Sequence, residues 1–273
     1  MTAILIPALF LAAVAFVLGS VILLISKKFY VEEDPMVKVL SGMLPGVNCG
    51  ACGFPGCNGL AEALAKTRDP ALTCPVGGSD LGGEIGQALG IKMAEVDPMI
   101  CSVVCQGDNH AAKEAAKYVG IQDCWAATQA VGNTKSCPYA CVGLGSCIPH
   151  CSYNALRLVD GIIEVIEENC TGCGECVQSC PKNVLVMMPK NDKRVLVACR
   201  SVDKGVLTKQ YCSHGCIGCK KCEKTCEVGA IKVDSFNATI NQSTCTSCGA
   251  CISVCKTESI VMKGDSFELQ GNP

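Results

Sequence analysis

Cysteines are the residues of this chain whose number and spacing could support chemistry, and there are 25 of them in 273 residues. Near the C-terminus two runs share the spacing C-x2-C-x2-C-x3-C, and they begin at Cys216 and Cys245. This spacing is typical of proteins that bind two 4Fe-4S clusters, in which the fourth cysteine of each run binds the other cluster. We therefore predict one site formed by Cys216, Cys219, Cys222 and Cys255, and a second formed by Cys245, Cys248, Cys251 and Cys226.

The same pattern occurs earlier in the chain, where the cysteines of residues 141–180 mirror those of residues 216–255. We call the constant offset from Cys141 to Cys216 the repeat period; an offset of this kind indicates a tandem duplication. Leu144 stands where the second copy has Cys219, and we predict that Cys137 supplies the missing ligand. The expected sets in the first copy are Cys137, Cys141, Cys147 and Cys180, and Cys151, Cys170, Cys173 and Cys176.

A further group of cysteines lies closer to the N-terminus, in the segment Cys-Gly-Ala-Cys-Gly-Phe-Pro-Gly-Cys at residues 49–57. Its glycines would let the backbone wrap a bulky ligand closely and donate N–H groups to sulfur. Cys74 follows a stretch with helical character. We predict a fifth 4Fe-4S site formed by Cys49, Cys52, Cys57 and Cys74.

Five cysteines remain, and Cys124 and Cys199 among them are equivalent under the repeat period. We predict a sixth site where the two copies meet, which leaves Cys101 outside any set; its ligands would be Cys105, Cys124, Cys199 and Cys212. In one alternative, Cys137 joins the sixth site and the cluster near Leu144 keeps three cysteine ligands. In another, the remaining cysteines are buried structural residues. The chain is therefore expected to bind five to six 4Fe-4S clusters.

Two other classes of protein use many cysteines: proteins with structural zinc sites and secreted disulfide-bonded proteins. The odd count and the four-cysteine runs favour iron–sulfur clusters in a reducing compartment over both. Aromatic residues make up only 4% of the chain, so metal clusters would be needed to stabilise small cores. The formal net charge of −2 gives no bulk electrostatic reason to expect binding to nucleic acid.

The N-terminus is predicted to be a membrane anchor. Residues 4–25 are almost wholly apolar and long enough to cross a bilayer as a helix. A cleaved signal peptide is the alternative, but no basic residue precedes the apolar run. Because Lys27 and Lys28 follow it, the positive-inside rule places the N-terminus outside and the cluster domains on the cytoplasmic side.

The expected fold class is α+β, with a single N-terminal transmembrane helix, a small 4Fe-4S domain and two tandem two-cluster ferredoxin-like units. Apolar alternating segments at residues 156–166 and 231–240 predict one short hairpin in each unit. The glycine-rich stretch 77–90 is predicted to be a linker or loop. The expected domains are the anchor (1–28), the N-terminal 4Fe-4S domain (29–95), the two ferredoxin-like units (96–190 and 191–262) and a tail (263–273).

Three lysines, Lys220, Lys221 and Lys224, flank ligands of one predicted cluster in the second copy. We expect them to form a solvated face. The alternative is a docking patch for an acidic electron carrier.

The order of these parts resembles the B subunit of the Rnf complex, the ion-translocating ferredoxin:NAD⁺ oxidoreductase of bacterial membranes. The resemblance is carried by the apolar N-terminal helix, Asp34-Pro35, the cysteines of residues 49–57, Cys74-Pro75 and the ferredoxin motifs. Short members of that family carry one ferredoxin pair, whereas this chain is similar to the long, polyferredoxin form.

The resemblance implies a single-pass electron-transfer subunit in the inner (cytoplasmic) membrane of a bacterium. It would accept electrons from reduced soluble ferredoxin and relay them through its clusters to other membrane subunits, which would carry flavins, the NAD site and the ion path. The chain itself has no complete active site. The alternative function is that of a membrane-anchored polyferredoxin that donates electrons to another redox enzyme, such as nitrogenase or a hydrogenase.

Overall fold

The computed structural model describes residues 2–28, 34–95, 97–190 and 193–264. Helix α1 (Thr2–Lys28) is apolar and ends at Lys27 and Lys28. Its stretch Leu9–Lys28 is 20 residues long, and none of it is buried against the rest of the protein. By length and composition this helix could cross a membrane, as the sequence predicts.

Three helices build the next part of the chain: α2 (Pro35–Met43), α3 (Cys57–Thr67) and α4 (Gly78–Leu89). Asp34 caps α2, because its side chain accepts a hydrogen bond from the Met36 N–H at 2.9 Å. The three helices share one apolar core, formed by Leu40, Leu44, Leu60, Ala61, Leu64, Ile85 and Leu89.

Helix α4 corrects the prediction that residues 77–90 form a linker or loop. Leu81, Ile85 and Leu89 recur at every fourth position and pack into the core, which outweighs the low helix propensity of the glycines. Gly86 also serves packing, since a Cβ atom at this position would lie 2.7 Å from the carbonyl oxygen of Ile91.

Residues 97–190 form an α+β unit that we call unit 1. Strand β1 (Met99–Val103) pairs antiparallel with β4 (Leu185–Pro189), and β2 (Leu156–Val159) forms a hairpin with β3 (Ile162–Val165). The helices of unit 1 are α5 (Cys124–Val131) and α6 (Glu175–Gln178), and a single 3-10 turn spans Glu167–Asn169.

Residues 193–264 form unit 2, which repeats this architecture. Strand β5 (Arg194–Val197) pairs with β8 (Ile260–Lys263), and β6 (Ile231–Asp234) forms a hairpin with β7 (Asn237–Ile240). The helices of unit 2 are α7 (Gly205–Tyr211), α8 (Lys221–Thr225) and α9 (Ala250–Ser253). Both predicted hairpins are thus confirmed. The predicted tail at 263–273 lies outside the described residues from residue 265 onward.

The strand registers show which residues of the two units are equivalent. The Val104 N–H donates to the Val184 carbonyl, and the Ala198 N–H donates to the Ser259 carbonyl, both at 2.8 Å. Val184 and Ser259 are related by the repeat period, but Val104 and Ala198 are farther apart than one period. Unit 1 therefore has the longer segment between its first strand and its first cysteine run, and α5 lies in that segment.

The two units pack against each other beside the ends of their first strands, through residues of β4, of β5 and directly after β1 and β5. Val104 and Met188 of unit 1 form one buried cluster with Leu196 and Ala198 of unit 2. Beside this cluster, the fully buried Arg194 guanidinium of unit 2 donates to the Glu167 carboxylate of unit 1 at 2.5 Å. The interface thus combines an apolar centre with a buried ion pair.

Replacing Glu167 by Ala should reduce the free energy of unfolding by roughly 2–3 kcal/mol, because the buried Arg194 guanidinium loses its charge-assisted hydrogen bond to Glu167. The neighbouring Glu168 is exposed and provides the control, since Glu168→Ala should have almost no effect. Urea unfolding of the cluster-loaded protein measures both. Equal unfolding midpoints for the two variants would show that the ion pair does not hold the units together.

Candidate functional site

The cysteines of unit 2 form two groups, and these are the groups that the spacing predicts. The first lines a cavity of about 190 Å³ and consists of Cys216, Cys219, Cys222 and Cys255. In the second group, burial raises the pKa of the Cys251 thiol, and the nearby Cys245, Cys248 and Cys226 raise it further. Gly218 has φ +65° and fits closely under the hairpin, since a Cβ atom there would lie 2.7 Å from the Cα atom of Phe236.

One group of unit 1 contains the four cysteines predicted for it, since Cys151, Cys170, Cys173 and Cys176 line one small cavity. Cys101 lines the same cavity. Its sulfur lies 3.5 Å from that of Cys176, and its N–H donates to the Cys170 sulfur at 3.5 Å. The contact between the two thiols raises the pKa of Cys101 and lowers that of Cys176. Cys101, predicted to lie outside any set, is a fifth cysteine beside these four.

The other group of unit 1 differs from the predicted one. Cys124, and not Cys137, shares a cavity with Cys141, Cys147 and Cys180. Cys124 is the first residue of α5, which packs with Val142 and Leu144. The segment between the first strand and the first cysteine run, which is longer in unit 1, thus brings Cys124 into the group in which Leu144 replaces a cysteine. Burial raises the pKa of Cys141 to about 11 and that of Cys147 to about 12.

Hydrogen bonds fix the start of α5 at this group. The Asp123 carboxylate accepts hydrogen bonds from the Ala126 N–H at 2.8 Å and from the Ser146 hydroxyl at 2.9 Å. These two bonds hold the pKa of Asp123 below its usual range. The Ser146 oxygen in turn accepts from the Cys124 N–H at 2.6 Å. The helix end that carries Cys124 is therefore attached to the loop that carries Cys147.

Cys137 lies between the two units, where it lines a cavity with Cys105, Cys199 and Cys212. The prediction placed Cys124 in this group because it treated Cys124 and Cys199 as equivalent. The strand registers instead make Cys105 equivalent to Cys199, since each is the second residue after the first strand of its unit. Cys137 and Cys212 are related by the repeat period, so each unit contributes one matching pair of sulfurs.

Burial raises the pKa of Cys137, Cys199 and Cys212 to about 11. Two buried asparagines, which carry no signal in the sequence, hold the loops around this group. The Asn133 amide donates to the carbonyls of Cys137 and Ala140, both at 2.9 Å. The Asn237 amide donates to the carbonyls of Cys199 at 3.0 Å and Ser201 at 2.7 Å.

Lys135 is another residue that sequence reasoning missed, because a single lysine carries no spacing signal. Its side chain is buried, and its ammonium group donates to the Gly107 carbonyl at 2.5 Å and the Gly161 carbonyl at 2.6 Å. The positive charge partly offsets the effect of burial on the pKa of the Cys141 thiol. In unit 2 the equivalent residue under the repeat period is the exposed Gln210.

The N-terminal helices carry the remaining predicted group. Burial raises the pKa of the Cys74 thiol, and the neighbouring Cys52 and Cys49 raise it further. Cys57 begins α3, where its N–H donates to the Asn48 side chain at 2.8 Å. Cys52, Cys57 and Cys74 all contact the core of this part of the chain. The four predicted cysteines therefore surround one end of the helical core.

Neighbouring groups are close enough to influence one another electrostatically. Cys49 of the N-terminal group raises the pKa of Cys173 in unit 1. Both cysteines also raise the pKa of the Tyr153 hydroxyl. In unit 1, Cys147, which shares a cavity with Cys124, raises the pKa of Cys101, which lies beside the group of Cys151, Cys170, Cys173 and Cys176.

The contacts continue through the interface into unit 2. Cys105, of the group between the units, raises the pKa of Cys141 in the α5 group. On the other side, Cys216 of unit 2 raises the pKa of Cys199. The two groups of unit 2 share one core, which contains the buried Cys222 and Cys251. Each of the six groups thus lies near the next, from the N-terminal helices to the end of unit 2, and we call this succession of neighbouring groups the row.

The donor chemistry of these groups fits iron–sulfur clusters. Sulfur is the donor in every group, and backbone N–H groups point at several of the sulfurs, as they do around iron–sulfur clusters. Gly107 donates to Cys105 at 3.3 Å, and Ala155 donates to Cys151 at 3.3 Å. Among the described residues, no three His, Cys, Asp or Glu side chains converge closely enough to hold a single metal ion. In four of the groups the sulfurs line the walls of cavities instead.

Comparison with known families agrees with this chemistry. Residues 44–76 match the family model described as "Putative Fe-S cluster". Residues 140–184 and 215–259 each match the model of the 4Fe-4S dicluster domain. The two dicluster matches coincide with the cysteine runs of units 1 and 2, so iron–sulfur binding by the chain follows from both sequence and structure.

Curated relatives extend over nearly the whole chain. The B subunit of the ion-translocating oxidoreductase complex of Methanosarcina acetivorans is 40% identical over 93% of this chain and 96% of its own length. The B subunit of the Na(+)-translocating ferredoxin:NAD(+) oxidoreductase complex of Acetobacterium woodii is 35% identical over 93% of this chain and 77% of its own length. The B subunit of the corresponding proton-translocating complex of Clostridium ljungdahlii is 34% identical, over 94% and 92%. The chain therefore belongs to the family of B subunits of ion-translocating oxidoreductase (Rnf) complexes and is an iron–sulfur electron-transfer subunit.

Proposed function

We propose that this chain accepts electrons from reduced soluble ferredoxin and relays them through six 4Fe-4S clusters to other subunits of a membrane-bound complex. That complex would reduce NAD⁺ and translocate ions. The observation that carries the proposal is the row of six cysteine groups. The names of the relatives from Acetobacterium woodii and Clostridium ljungdahlii, both ferredoxin:NAD(+) oxidoreductase subunits, support the choice of donor and final acceptor.

The proposed ligands follow the groups that share a cavity or a core. A bound 4Fe-4S cluster supplies reversible one-electron chemistry, and the protein sets its potential through charge, hydrogen bonds and exposure. From the N-terminus onward, the six ligand sets would be Cys49, Cys52, Cys57 and Cys74; Cys151, Cys170, Cys173 and Cys176; Cys124, Cys141, Cys147 and Cys180; Cys105, Cys137, Cys199 and Cys212; Cys216, Cys219, Cys222 and Cys255; and Cys226, Cys245, Cys248 and Cys251.

The proposed topology places α1 in the membrane and both units on the cytoplasmic side. Lys27 and Lys28 at the end of α1 support this orientation. The N-terminal group follows the anchor closely in the chain and would deliver electrons to flavin-carrying membrane subunits. The domain boundaries expected from the sequence, 29–95 for the N-terminal domain and 96–190 and 191–262 for the units, are retained as part of this proposal.

The direct test of the function uses the full chain, loaded with clusters and kept in detergent without oxygen. Reduced ferredoxin should bleach the visible absorbance of the clusters, whereas oxidised ferredoxin should not. In membranes that contain the partner subunits, omission of this chain should abolish ferredoxin-driven NAD⁺ reduction. If dithionite reduced the clusters but ferredoxin did not, the proposed donor would be wrong.

Double substitutions test the ligand sets of unit 1. Cys124 and Cys141 line the same cavity, so under this proposal the variant with both replaced by Ala should lose one cluster, about four irons. A second double variant, Cys124→Ala with Cys199→Ala, should lose two clusters, about eight irons. If Cys124 and Cys199 instead bind the same cluster, as the repeat period predicts, the first variant should lose about eight irons and the second about four. Iron analysis with EPR spectroscopy distinguishes them, and Cys101→Ala should leave the iron content unchanged.

Replacing Lys135 by Met should lower the reduction potentials of the clusters nearest to it, because a buried positive charge stabilises the more negative reduced state. These are the clusters proposed at Cys141 and at Cys105. The exposed Lys113 provides a control of equal charge. A redox titration followed by EPR should show a shift for Lys135→Met and none for Lys113→Met. Unchanged potentials with full iron content would contradict this role of Lys135.

A further inference from the structure

We infer that the acidic electron carrier docks on a lysine-lined face of unit 2 and delivers its electron to the cluster held beside Cys219. This face consists of Lys220, Lys221 and Lys256 around the cavity of the Cys216 group. The inference rests on the proposed function, since it needs cluster binding and a ferredoxin-like donor. It adds the surface and the point at which electrons enter the row.

Exposure limits where an electron can enter. All 25 cysteines lie in the described part of the chain, and two of them, Cys219 and Cys248, are exposed. Both belong to unit 2. The residue equivalent to Cys219 in unit 1 is Leu144, and the cysteine that joins that group, Cys124, is buried. Because electron transfer between proteins requires close approach of the two redox centres, unit 2 is the better acceptor of an external electron.

Charge distinguishes the two exposed cysteines. Three lysines and, among the described residues, no carboxylate line the cavity beside Cys219. Lys220, Lys221 and Lys256 are all exposed. Near Cys248 the chain reads Thr-Cys-Thr-Ser-Cys-Gly-Ala over residues 244–250, without a charged residue, and one exposed lysine, Lys193, adjoins this stretch, since its carbonyl accepts a hydrogen bond from the Ser247 hydroxyl at 2.9 Å. With three lysines against one, a carrier with an acidic face is attracted more strongly to Cys219 than to Cys248.

The nearest carboxylates do not cancel this charge at the cavity. Glu223 turns toward the hairpin, where its side chain accepts a hydrogen bond from the Val233 N–H at 3.2 Å. Glu258 lies 3.8 Å from the His214 ring. Glu227 follows Cys226, which belongs to the other group of unit 2. The charged residues that line the cavity itself are therefore the three lysines.

The duplication supplies an internal comparison. Under the repeat period, Lys220, Lys221 and Lys256 correspond to Gly145, Ser146 and Pro181 in unit 1. None of these three carries a charge. The corresponding cavity of unit 1 is lined by one lysine, Lys182, whose ammonium group donates to the Gly132 carbonyl at 2.7 Å, and none of its cysteines is exposed. Three exposed lysines beside an exposed cysteine therefore occur at the unit 2 site and not at the equivalent site of unit 1.

The chemistry of the step is a single electron transfer. The reduced carrier loses one electron, the cluster beside Cys219 gains it, and no bond or proton is exchanged. From there the row leads through the Cys199 group toward the N-terminal helices. Complexes of this kind are transient and bury small interfaces, so long-range attraction controls their rate and added salt weakens it.

The test uses two variants of the full, cluster-loaded chain with the same change in net charge. The first, K220Q/K221Q/K256Q, removes three positive charges from the lysine face. The second, T244E/T246E/A250E, adds three negative charges around Cys248. Stopped-flow mixing with reduced ferredoxin at low ionic strength gives the rate of cluster reduction, and dithionite gives a rate that does not depend on docking. Iron content verifies that each variant is loaded.

We expect the first variant to react with ferredoxin at least about tenfold more slowly than the unmodified chain, with a smaller difference at high salt. The second variant should keep nearly the unmodified rate, and dithionite should reduce all three proteins equally. A loss confined to the second variant, or equal losses in both, would overturn the inference while leaving the proposed function intact. If the unmodified loaded chain took no electrons from ferredoxin, the proposed function would itself fail, and this inference with it.

Discussion

The structure depends on bringing buried thiols together in groups, where burial disfavours their charged thiolate form unless metal binds them. Burial raises the pKa of Cys147 to about 12 and those of Cys141 and Cys199 to about 11, so at neutral pH these thiols would hold their protons without metal. Iron–sulfur ligation requires thiolates, and the binding free energy therefore contributes to folding. With 4% aromatic residues, the chain has few large side chains that could replace this contribution.

The need to bring buried thiols together also explains how the two copies of the repeat are connected. Each unit places a cysteine after its first strand, Cys105 and Cys199, and another before its first cysteine run, Cys137 and Cys212. Neither pair completes a four-sulfur site alone. The contact between Val104, which follows β1, and Leu196 of β5 brings the two pairs to one cavity. The contact between the units therefore also assembles the cysteine group that lies between those of unit 1 and those of unit 2.

Much of this arrangement could be predicted from the sequence, because cysteine spacing within a run fixes which sulfurs can meet. The anchor, the hairpins and the groups of unit 2 follow from such local patterns. The cavities that Cys124 and Cys137 line could not be predicted in this way. Matching the copies at one constant period concealed the longer segment before Cys141, and only the strand registers reveal it. The glycine-rich α4 was missed for a related reason, since burial of Leu81 and Ile85 outweighs local propensity.

An anomalous-scattering map of the intact chain, recorded at the iron edge, tests most directly whether the two units share a cluster. Six separate iron peaks are predicted, with one between the units bounded by Cys105, Cys137, Cys199 and Cys212, and with Cys124 beside the peak at Cys141. A map with five peaks and no iron between the units, or one in which Cys124 and Cys199 bound the same peak, would contradict the structure's assignment of the row.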